Sequence, residues 1–170
     1  MSFELKPSPS QRLPKKVFKE QVDSSLFIDY AEFLKGNTSK EVLVFDTNFL
    51  FVPFEFRVEI ISEIQRILGK SVTFAILEES LYELEKIEQK KTKNKKFLPL
   101  IATLLKRYNV QILQNHPKSN IRTPNFVDNL LTSLPSSWVI ATNDKELKQT
   151  LWKIPRRVIF MRQKSYLDIK

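Results

Sequence analysis

The sequence predicts an α/β protein built on a parallel, doubly wound sheet. From about residue 40 onwards, short apolar runs alternate with longer segments in which apolar residues recur every three or four positions. Such an alternation is typical of parallel strands that are connected by helices. The first run, VLVF at residues 42–45, is apolar throughout, as expected of a strand buried on both faces in the middle of a sheet.

The remaining elements are predicted from the same periodicities. We expect strands at residues 42–46, 72–76, 110–113, 138–141 and 157–161. We expect helices at residues 57–68, 79–89, 97–108, 123–134 and 144–151. Thr123 is the expected N-cap of the fourth helix, with Pro124 at its first position. The basic stretch KKTKNKK at residues 90–96 is expected to be a solvated break between two helices.

Residues 1–40 are expected to form a partly helical N-terminal extension, ahead of a domain that spans residues 41–170. Prolines and polar residues dominate the first 14 positions, which predicts an extended lead-in. Between residues 15 and 34 apolar side chains recur at helix-like spacing, which predicts one or two short helices.

The composition limits the chemistry that is available to the protein. A chain of 170 residues fits one domain, and its lack of cysteine excludes disulfides, thiolate metal sites and cysteine nucleophiles. The single histidine, His116, excludes a His-rich metal site, and we expect it at the surface of its proline-containing loop. Catalysis would therefore depend on carboxylates, hydroxyls or lysines. No apolar run approaches the ~20 residues that span a bilayer, and no signal segment is visible, so we expect no membrane association.

The net charge of +9 is unevenly distributed along the chain. Residues 41–85 hold 3 Lys and Arg against 9 acids, whereas residues 86–170 hold 18 against 5. An acidic half beside a strongly basic half is typical of a site that gathers cations next to a surface that gathers phosphates. Lys-rich soluble proteins are also common, so the charge alone does not decide the function.

Four carboxylates fall where a parallel sheet would bring them together. Asp46 and Asp144 follow predicted strands, at the carboxyl ends where open α/β sheets place their ligands. Asp128 lies near the start of a helix at the same edge, and Glu83 borders the apolar stripe of its helix. Converging carboxylates repel one another unless a cation neutralises them, and oxygen ligands suit Mg²⁺ or Mn²⁺. The pattern therefore predicts a divalent metal site.

Most of these acids also have a simpler structural role open to them. Asp128 and Asp144 could favour the positive end of a helix dipole, which is worth about 0.3–1 kcal/mol each. Asn143 with Glu146 three residues on is typical of a capping pair. Asp46 is the exception, because an unpaired buried carboxylate costs several kcal/mol and no helix end accounts for it.

Several motifs resemble those of the PIN-domain nucleases. They are VLVFDTNFLFVPFEF from residue 42, YELEKI at residues 82–87, VDN at residues 127–129 and VIATNDKELKQTLWKIPRRVIF from residue 139. DTNF and ATND followed by Lys and Leu are the more specific of them, and the likeness covers roughly residues 40–168. It is greater to the archaeal and eukaryotic branch linked to small-subunit ribosomal RNA processing than to typical VapC toxins.

The resemblance implies a three-layer α/β/α fold and an endoribonuclease that depends on Mg²⁺ or Mn²⁺. The acidic quartet of the family maps onto the catalytic candidates Asp46, Glu83, Asp128 and Asp144. The resemblance assigns the metal to Asp46, Asp128 and Asp144. It adds, as supporting polar residues, Asn48, Thr142 and Asn143. Close relatives commonly carry a second aspartate at the position of Asn129, so the metal site is expected to be slightly weakened.

The expected partner is RNA, with ribosomal RNA or its precursor favoured. The basic stretch at residues 90–96 and a set of side chains near the carboxyl end are candidates for contact with its backbone: Lys145, Lys148, Arg156, Arg157, Arg162 and Lys164. Such contacts would give affinity and salt dependence but little sequence choice. An intracellular location is expected, cytoplasmic in a prokaryote or nucleolar in a eukaryote.

Two other functions stay open on the sequence alone. Some PIN-like proteins have lost acids and act as RNA-binding ribosome-assembly factors, and others are toxins of toxin–antitoxin pairs. The phenylalanine-rich segment at residues 49–56 is expected to anchor its loop and the next helix, and could also form a homodimer face. With only 2 glycines, a P-loop or a dinucleotide fingerprint is excluded.

Overall fold

A computed structural model of the protein describes residues 17–117 and 126–170. The strands of these residues form one sheet, and they are β1 (Phe27–Asp29), β2 (Val42–Phe45), β3 (Thr73–Leu77), β4 (Gln111–Gln114), β5 (Val139–Ala141), β6 (Val158–Arg162) and β7 (Tyr166–Ile169). Their order across the sheet is β1-β4-β3-β2-β5-β6-β7. All neighbouring strands run parallel except β6 and β7, which are antiparallel.

Helices cover both faces of this sheet. They are α1 (Phe18–Gln21), α2 (Tyr30–Gly36), α3 (Val52–Phe56), α4 (Ile60–Leu68), α5 (Glu78–Gln89), α6 (Leu98–Arg107), α7 (Phe126–Thr132) and α8 (Lys145–Lys153). Short 3-10 helices lie at Ser24–Leu26, Thr47–Phe51 and Lys93–Phe97. No helix in the described part of the chain is long and apolar enough to cross a lipid bilayer.

The alternation of side chains along β2 accounts for the three layers. Leu43 and Phe45 pack into one core with helices α1 and α3–α6, whereas Val42 and Val44 pack into a second core with α2, α7 and α8. Because successive strand residues point to opposite faces, a strand that is apolar at every position needs a helical layer on each side. The predicted α/β/α fold with a central, mostly parallel sheet is confirmed.

Two strands were not expected from the sequence. β1 has only three residues and pairs with β4 through Phe27 and Ile112, so the segment before residue 40 adds a strand to the sheet. β7 pairs with β6 as an antiparallel edge strand, and polar residues interrupt its apolar pattern. Both are too short and too polar for periodicity to identify them, because edge strands are buried on fewer sides than central ones.

One helix begins later than predicted. Arg57 has a left-handed backbone with φ of 54°, which ends α3, so that α4 starts at Ile60 and not at residue 57. A non-glycine residue rarely adopts this conformation, and no sequence signal marked it. Most other predicted boundaries agree with the structure to within a few residues, and the start of the helix predicted at residues 123–134 falls outside the described residues.

Arg156 is structural, and its assignment to the RNA-contacting surface was wrong. The residue is 4% exposed, and its guanidinium donates hydrogen bonds to the carbonyl oxygens of Leu134, Pro135 and Trp138. The nitrogen–oxygen distances to Pro135 and Trp138 are 2.6 and 3.1 Å. Arg156 therefore satisfies the backbone of the turn between α7 and β5, and it has no surface to offer to a phosphate.

We predict that Arg156→Lys lowers the free energy of unfolding by about 2 kcal/mol, because an ammonium cannot reach three buried carbonyl groups and leaves some of them unpaired. Urea denaturation measures the change. Arg157→Lys is the matched control: Arg157 is exposed and pairs with Glu41 at the surface, so its replacement is expected to cost less than about 0.5 kcal/mol. Equal losses in the two variants would contradict the structural role of Arg156.

Candidate active site

The candidate site lies where the winding of the sheet reverses. β2 has β3 on one side and β5 on the other, and the chain passes from β2 to β3 over one face and enters β5 over the opposite face. In open α/β sheets the crevice at the carboxyl ends of such strands is the usual place for a ligand. Asp46 follows β2 and Asp144 follows β5, so both acids lie at this crevice.

Asp46 is a buried carboxylate held by a hydroxyl from the neighbouring strand. The residue is 4% exposed, its backbone N–H donates to the carbonyl of Ala141 at 2.9 Å, and Thr142 Oγ1 donates to Asp46 Oδ2 at 2.7 Å. Burial raises the pKa of Asp46, while hydrogen bonds from Thr142 and the backbone of Thr47 lower it and the charge of Asp144 raises it again. The surroundings thus disfavour the ionised form while no cation is close.

Asp144 is fixed by the start of α8. Its backbone N–H donates to Thr142 Oγ1 at 3.0 Å, and its Oδ1 accepts from the backbone N–H of Leu147 at 2.9 Å. Asp144 is therefore the N-cap of α8, where Asn143 had been considered as part of a capping pair. Asn143 Oδ1 instead accepts from the backbone N–H of Met161 at 2.7 Å, which ties the loop to β6.

Asp128 and Glu83 complete the electrostatic environment. Burial is the main cause that raises the pKa of Asp128 to about 7, and the charges of Asp46, Asp144 and Glu83 raise it further. The pKa of Glu83 is raised first by burial and then by Asp46, while a hydrogen bond to Thr47 and the charge of Lys86 lower it. Asp46, Glu83 and Asp128 therefore each lie close enough to another of the four acids for its charge to raise their pKa.

A hydroxyl pair that the sequence did not reveal lies close to Glu83. Thr47 Oγ1 donates to Ser80 Oγ at 2.9 Å, and both residues are fully buried. This bond joins the turn after Asp46 to α5, one helical turn before Glu83. Spacing of i and i+3 between Ser80 and Glu83 places them on the same side of α5, which is the one sequence signal that could have suggested the arrangement.

The basic candidates divide between the two ends of the parallel strands. Lys145 and Lys148 lie in the first turn of α8, and Arg162 ends β6. These three residues therefore lie at the carboxyl ends of the strands, together with the candidate acids. Lys164 follows in the turn to β7. Arg157 directly precedes β6, and its Nη2 donates to Glu41 Oε1 at 3.0 Å. Arg157 therefore lies at the amino ends of the strands, away from the candidate acids.

His116 is buried, although the sequence predicted a surface position. It is 3% exposed, and its Nε2 lies 2.6 Å from Glu79 Oε2 in the first turn of α5. The sequence around His116 could not reveal this contact, because Glu79 is 37 residues away in the chain. Asn48 is exposed in the 3-10 turn that follows Asp46, at the same edge as the acids.

The sequence matches a protein-family model described as a PIN-like domain over residues 43–164. The chain belongs to the PIN-like domain family. All four candidate acids lie within the matched residues, and the predicted membership of the PIN-domain superfamily is confirmed.

Two comparisons agree with this membership. The PIN domain is 30% identical over 131 residues to the protein named Ribonuclease VapC4 of Methanocaldococcus jannaschii, a match that covers 75% of this chain and 95% of the relative. Its fold is similar to that of the PIN domain endonuclease Utp24, with a TM-score of 0.58 and 17% sequence identity, over 76% of this chain and 90% of the other. The second likeness concerns the fold alone.

The donor set of this PIN domain suits a hard divalent cation in charge and chemistry. Carboxylate and hydroxyl oxygens are the ligands that Mg²⁺ and Mn²⁺ prefer, and the mutual repulsion that raises the pKa of Asp128 would be relieved by a cation. Within residues 17–117 and 126–170, however, no three His, Asp or Glu side chains are close enough to ligate one ion together. Mg²⁺ commonly keeps several waters and takes one or two carboxylates directly, which fits this wider spacing.

We predict that Asp128→Asn stabilises the PIN domain at alkaline pH. Folding raises the pKa of Asp128 from 3.8 to about 7, so between these values the folded protein binds more protons than the unfolded chain. The free energy of unfolding of the wild-type protein therefore falls as the pH rises from about 4 to 7, and this decrease in stability is complete above pH 7. The residue is half-buried and solvent screens part of the effect, so the expected gain in the variant is about 1 kcal/mol at pH 8.

Urea denaturation in EDTA at pH 8 and at pH 4.5 measures this gain. At pH 4.5 the variant and the wild type should have nearly the same stability, because Asp128 is then protonated in the folded protein. Glu55→Gln, which removes an exposed carboxylate from α3, controls for the loss of one negative charge. A gain that is the same at both pH values would refute an electrostatic origin.

Proposed function

We propose that this PIN domain is a divalent-metal-dependent endoribonuclease. The observation that carries the proposal is the Thr142 hydroxyl, which donates to the Asp46 carboxylate and accepts from the backbone N–H of Asp144. One side chain thus holds together two acids from neighbouring strands at the reversal point of the sheet. A purely structural role would not require a buried carboxylate there, since an apolar residue would cost less.

The substrate class is inferred from the relatives and from the charge of the chain. One relative is named a ribonuclease. A net charge of +9 suits a polyanionic substrate. We infer RNA as the substrate, with ribosomal RNA processing or RNA decay as the role, and an intracellular location.

The proposed mechanism gives each acid a task. Asp46, Asp128 and Asp144 would hold Mg²⁺ or Mn²⁺, one or two of them directly and the others through water, and Glu83 would position the attacking water. When bound, the ion supplies Lewis-acid polarisation of the phosphoryl oxygens and lowers the pKa of water. Thr142 keeps Asp46 oriented towards the crevice, and a hydrogen bond with Thr47 favours the ionised form of Glu83. Products would carry 5′-phosphate and 3′-hydroxyl ends.

Basic side chains at the same edge would bind the RNA backbone. Lys145, Lys148, Arg162 and Lys164 follow the acids along α8 and the end of β6. Arg157 is left out of this set because it lies at the opposite edge and pairs with Glu41. Asn48 and Asn143 would act as supporting polar groups, Asn48 facing solvent beside Asp46 and Asn143 fixing the loop to β6.

We also propose that the nuclease domain spans residues 41–170, with residues 1–40 as an extension whose strand β1 covers the edge of β4. A homodimer would use only part of the expected phenylalanine-rich face. Phe49 and Phe51 are buried within the chain and leave little for a partner, whereas Phe54 and the exposed Leu100 line a groove of about 460 Å³ between α3–α4 and α6.

Two alternatives have observations in their support. The absence, in the described residues, of three acids close enough to share an ion favours a catalytically weak RNA-binding assembly factor, as does Asn129 in place of a second aspartate. The match to a protein named VapC4 favours the toxin of a toxin–antitoxin pair, which would require a partner antitoxin.

We predict that Asp46→Asn lowers the rate of RNA cleavage about 100-fold or more, since Lewis-acid catalysis by a metal is worth several kcal/mol and each 1.4 kcal/mol is about tenfold. The assay follows a labelled structured RNA with Mn²⁺, Mg²⁺ or EDTA. Asp23→Asn is the control, because Asp23 caps a 3-10 turn ahead of β1, a task that asparagine also performs. If the wild-type protein binds the RNA but cuts it with neither metal, the nuclease assignment is wrong and the assembly-factor alternative is favoured.

Replacing Thr142 tests whether its hydroxyl positions Asp46. We expect Thr142→Val, which keeps the shape and removes the hydroxyl, to lower cleavage about 10-fold and to weaken Mn²⁺ binding similarly. Thr142→Ser should restore most of both. If valine and serine behave alike, the hydrogen bond from Thr142 to Asp46 has no functional role.

A further inference from the structure

Two cations lie over one aromatic ring beside the candidate active site. The Lys148 ammonium is 5.0 Å from the centre of the Phe160 ring, and the Arg162 guanidinium carbon is 5.9 Å from it. Cations within about 6 Å of a ring centre are attracted by its negative face. Because the two positive groups repel each other, an anion bound beside them would stabilise the arrangement.

The ring that carries these cations is held rigidly. Phe160 is 9% exposed, and Trp152 packs edge-on against it with ring centres 6.0 Å apart. The indole N–H of Trp152 donates to the carbonyl oxygen of Lys170 at 3.2 Å, so the tryptophan is itself fixed and serves as a support. A ring immobilised in this way reduces the conformational freedom that the two long side chains would lose on binding a ligand.

The pair lies close to the candidate metal ligands. Lys148 is one helical turn after Asp144, and its backbone N–H donates to the Asp144 carbonyl at 2.9 Å, so the two residues are about 6 Å apart along the axis of α8. Arg162 ends β6, whose preceding residue is bonded to Asn143. The pair would therefore meet a backbone phosphate close to the one at Asp144.

One carboxylate, that of Asp168, would compete with a bound anion for Arg162. Asp168 lies opposite Phe160 across β6 and β7, and its Oδ2 is 3.1 Å from Arg162 Nη1. Both side chains of this ion pair are exposed to solvent, so the pair contributes little to stability and a phosphate can compete for Arg162. Among the described residues, Lys148 forms no ion pair, which leaves its charge available.

We propose that Phe160 positions Lys148 and Arg162 as a clamp for a backbone phosphate of the RNA strand, beside the candidate active site. The inference rests on the proposed RNA substrate and adds the residues that set the position of the strand. Phe160 acts through the two cations and is a positioning residue. Since the contacts are to phosphate, they fix register and affinity and carry no sequence preference.

The first test measures RNA binding by the full chain in EDTA, where no cleavage occurs, from the fluorescence anisotropy of a labelled unstructured RNA at several KCl concentrations. Lys148→Ala should weaken binding about fivefold at 100 mM salt and reduce the slope of affinity against salt by about 1. Lys153→Ala removes a lysine from the same helix outside the clamp, and it should change affinity by less than about twofold. Equal effects of the two variants would overturn the clamp.

Three variants that leave Lys148 and Arg162 in place test the geometry of the clamp. Phe160→Leu keeps an apolar side chain and should weaken binding about threefold, while Phe160→Trp, whose ring attracts cations more strongly, should restore it. A merely structural role would lower the melting temperature of the leucine variant and would not predict rescue by tryptophan. Asp168→Asn frees Arg162 and should tighten binding about threefold; unchanged or weaker binding would contradict the proposal.

The same protein samples separate this inference from the proposed function. If wild type cuts RNA with Mn²⁺ but the clamp variants bind as it does, the clamp is refuted and the nuclease stands. If the variants follow the expected order but no metal supports cutting, the clamp stands and the nuclease is refuted. Wild type that does not bind RNA at all would refute both.

Discussion

The hydrogen bond from Thr142 to Asp46 is the interaction on which the candidate site depends. It spans 96 positions of sequence and joins the two central strands of the sheet at the point where the winding reverses. Through the same hydroxyl it reaches the backbone of Asp144, and Asp144 in turn begins α8. The position of a catalytic candidate, the start of a helix and the register between β2 and β5 are therefore coupled, so a change in one is transmitted to the others.

The coupled residues concentrate carboxylates in a buried part of the protein, where the ionised form of a carboxylate is unfavourable. Asp46 is buried, Asp128 is half-buried with its pKa near 7, and Glu83 is influenced by the charge of Asp46. Removing charge from such a cluster usually stabilises a protein, so its retention is characteristic of a site selected for function at a cost in stability. Among the described residues, no Lys or Arg of α8 or β6 forms an ion pair with these acids, which leaves the cluster open to an external cation.

Much of this could be predicted from the sequence, and particular elements show why. The run VLVF, with its following aspartate, defined a central strand and its carboxyl edge, because four consecutive apolar residues of this kind are typical of a strand buried on both faces. The family resemblance then located all four acids. The sequence could not reveal contacts between distant polar residues, such as Thr47 with Ser80 or His116 with Glu79. Arg156 and Arg157 are neighbours of the same residue type, so the sequence does not distinguish them. Arg156 is buried against three carbonyl groups, whereas Arg157 lies at the surface. Only the folded turn between α7 and β5 determines which of the two arginines it encloses.

The short strand β1 has a consequence for how the chain acquires its fold. It pairs with β4 alone, through Phe27 and Ile112, so 85 residues separate the partners. During synthesis the N-terminal segment would emerge early and could not complete its backbone hydrogen bonds until β4 had left the ribosome, whereas β2 and β3 could pair sooner. Closing so long a loop is a late and slow event, and until it happens the unpaired edge of β4 is a template for association with other chains. β1 is thus made before β2 and β3 but can join the sheet only after β4 is available.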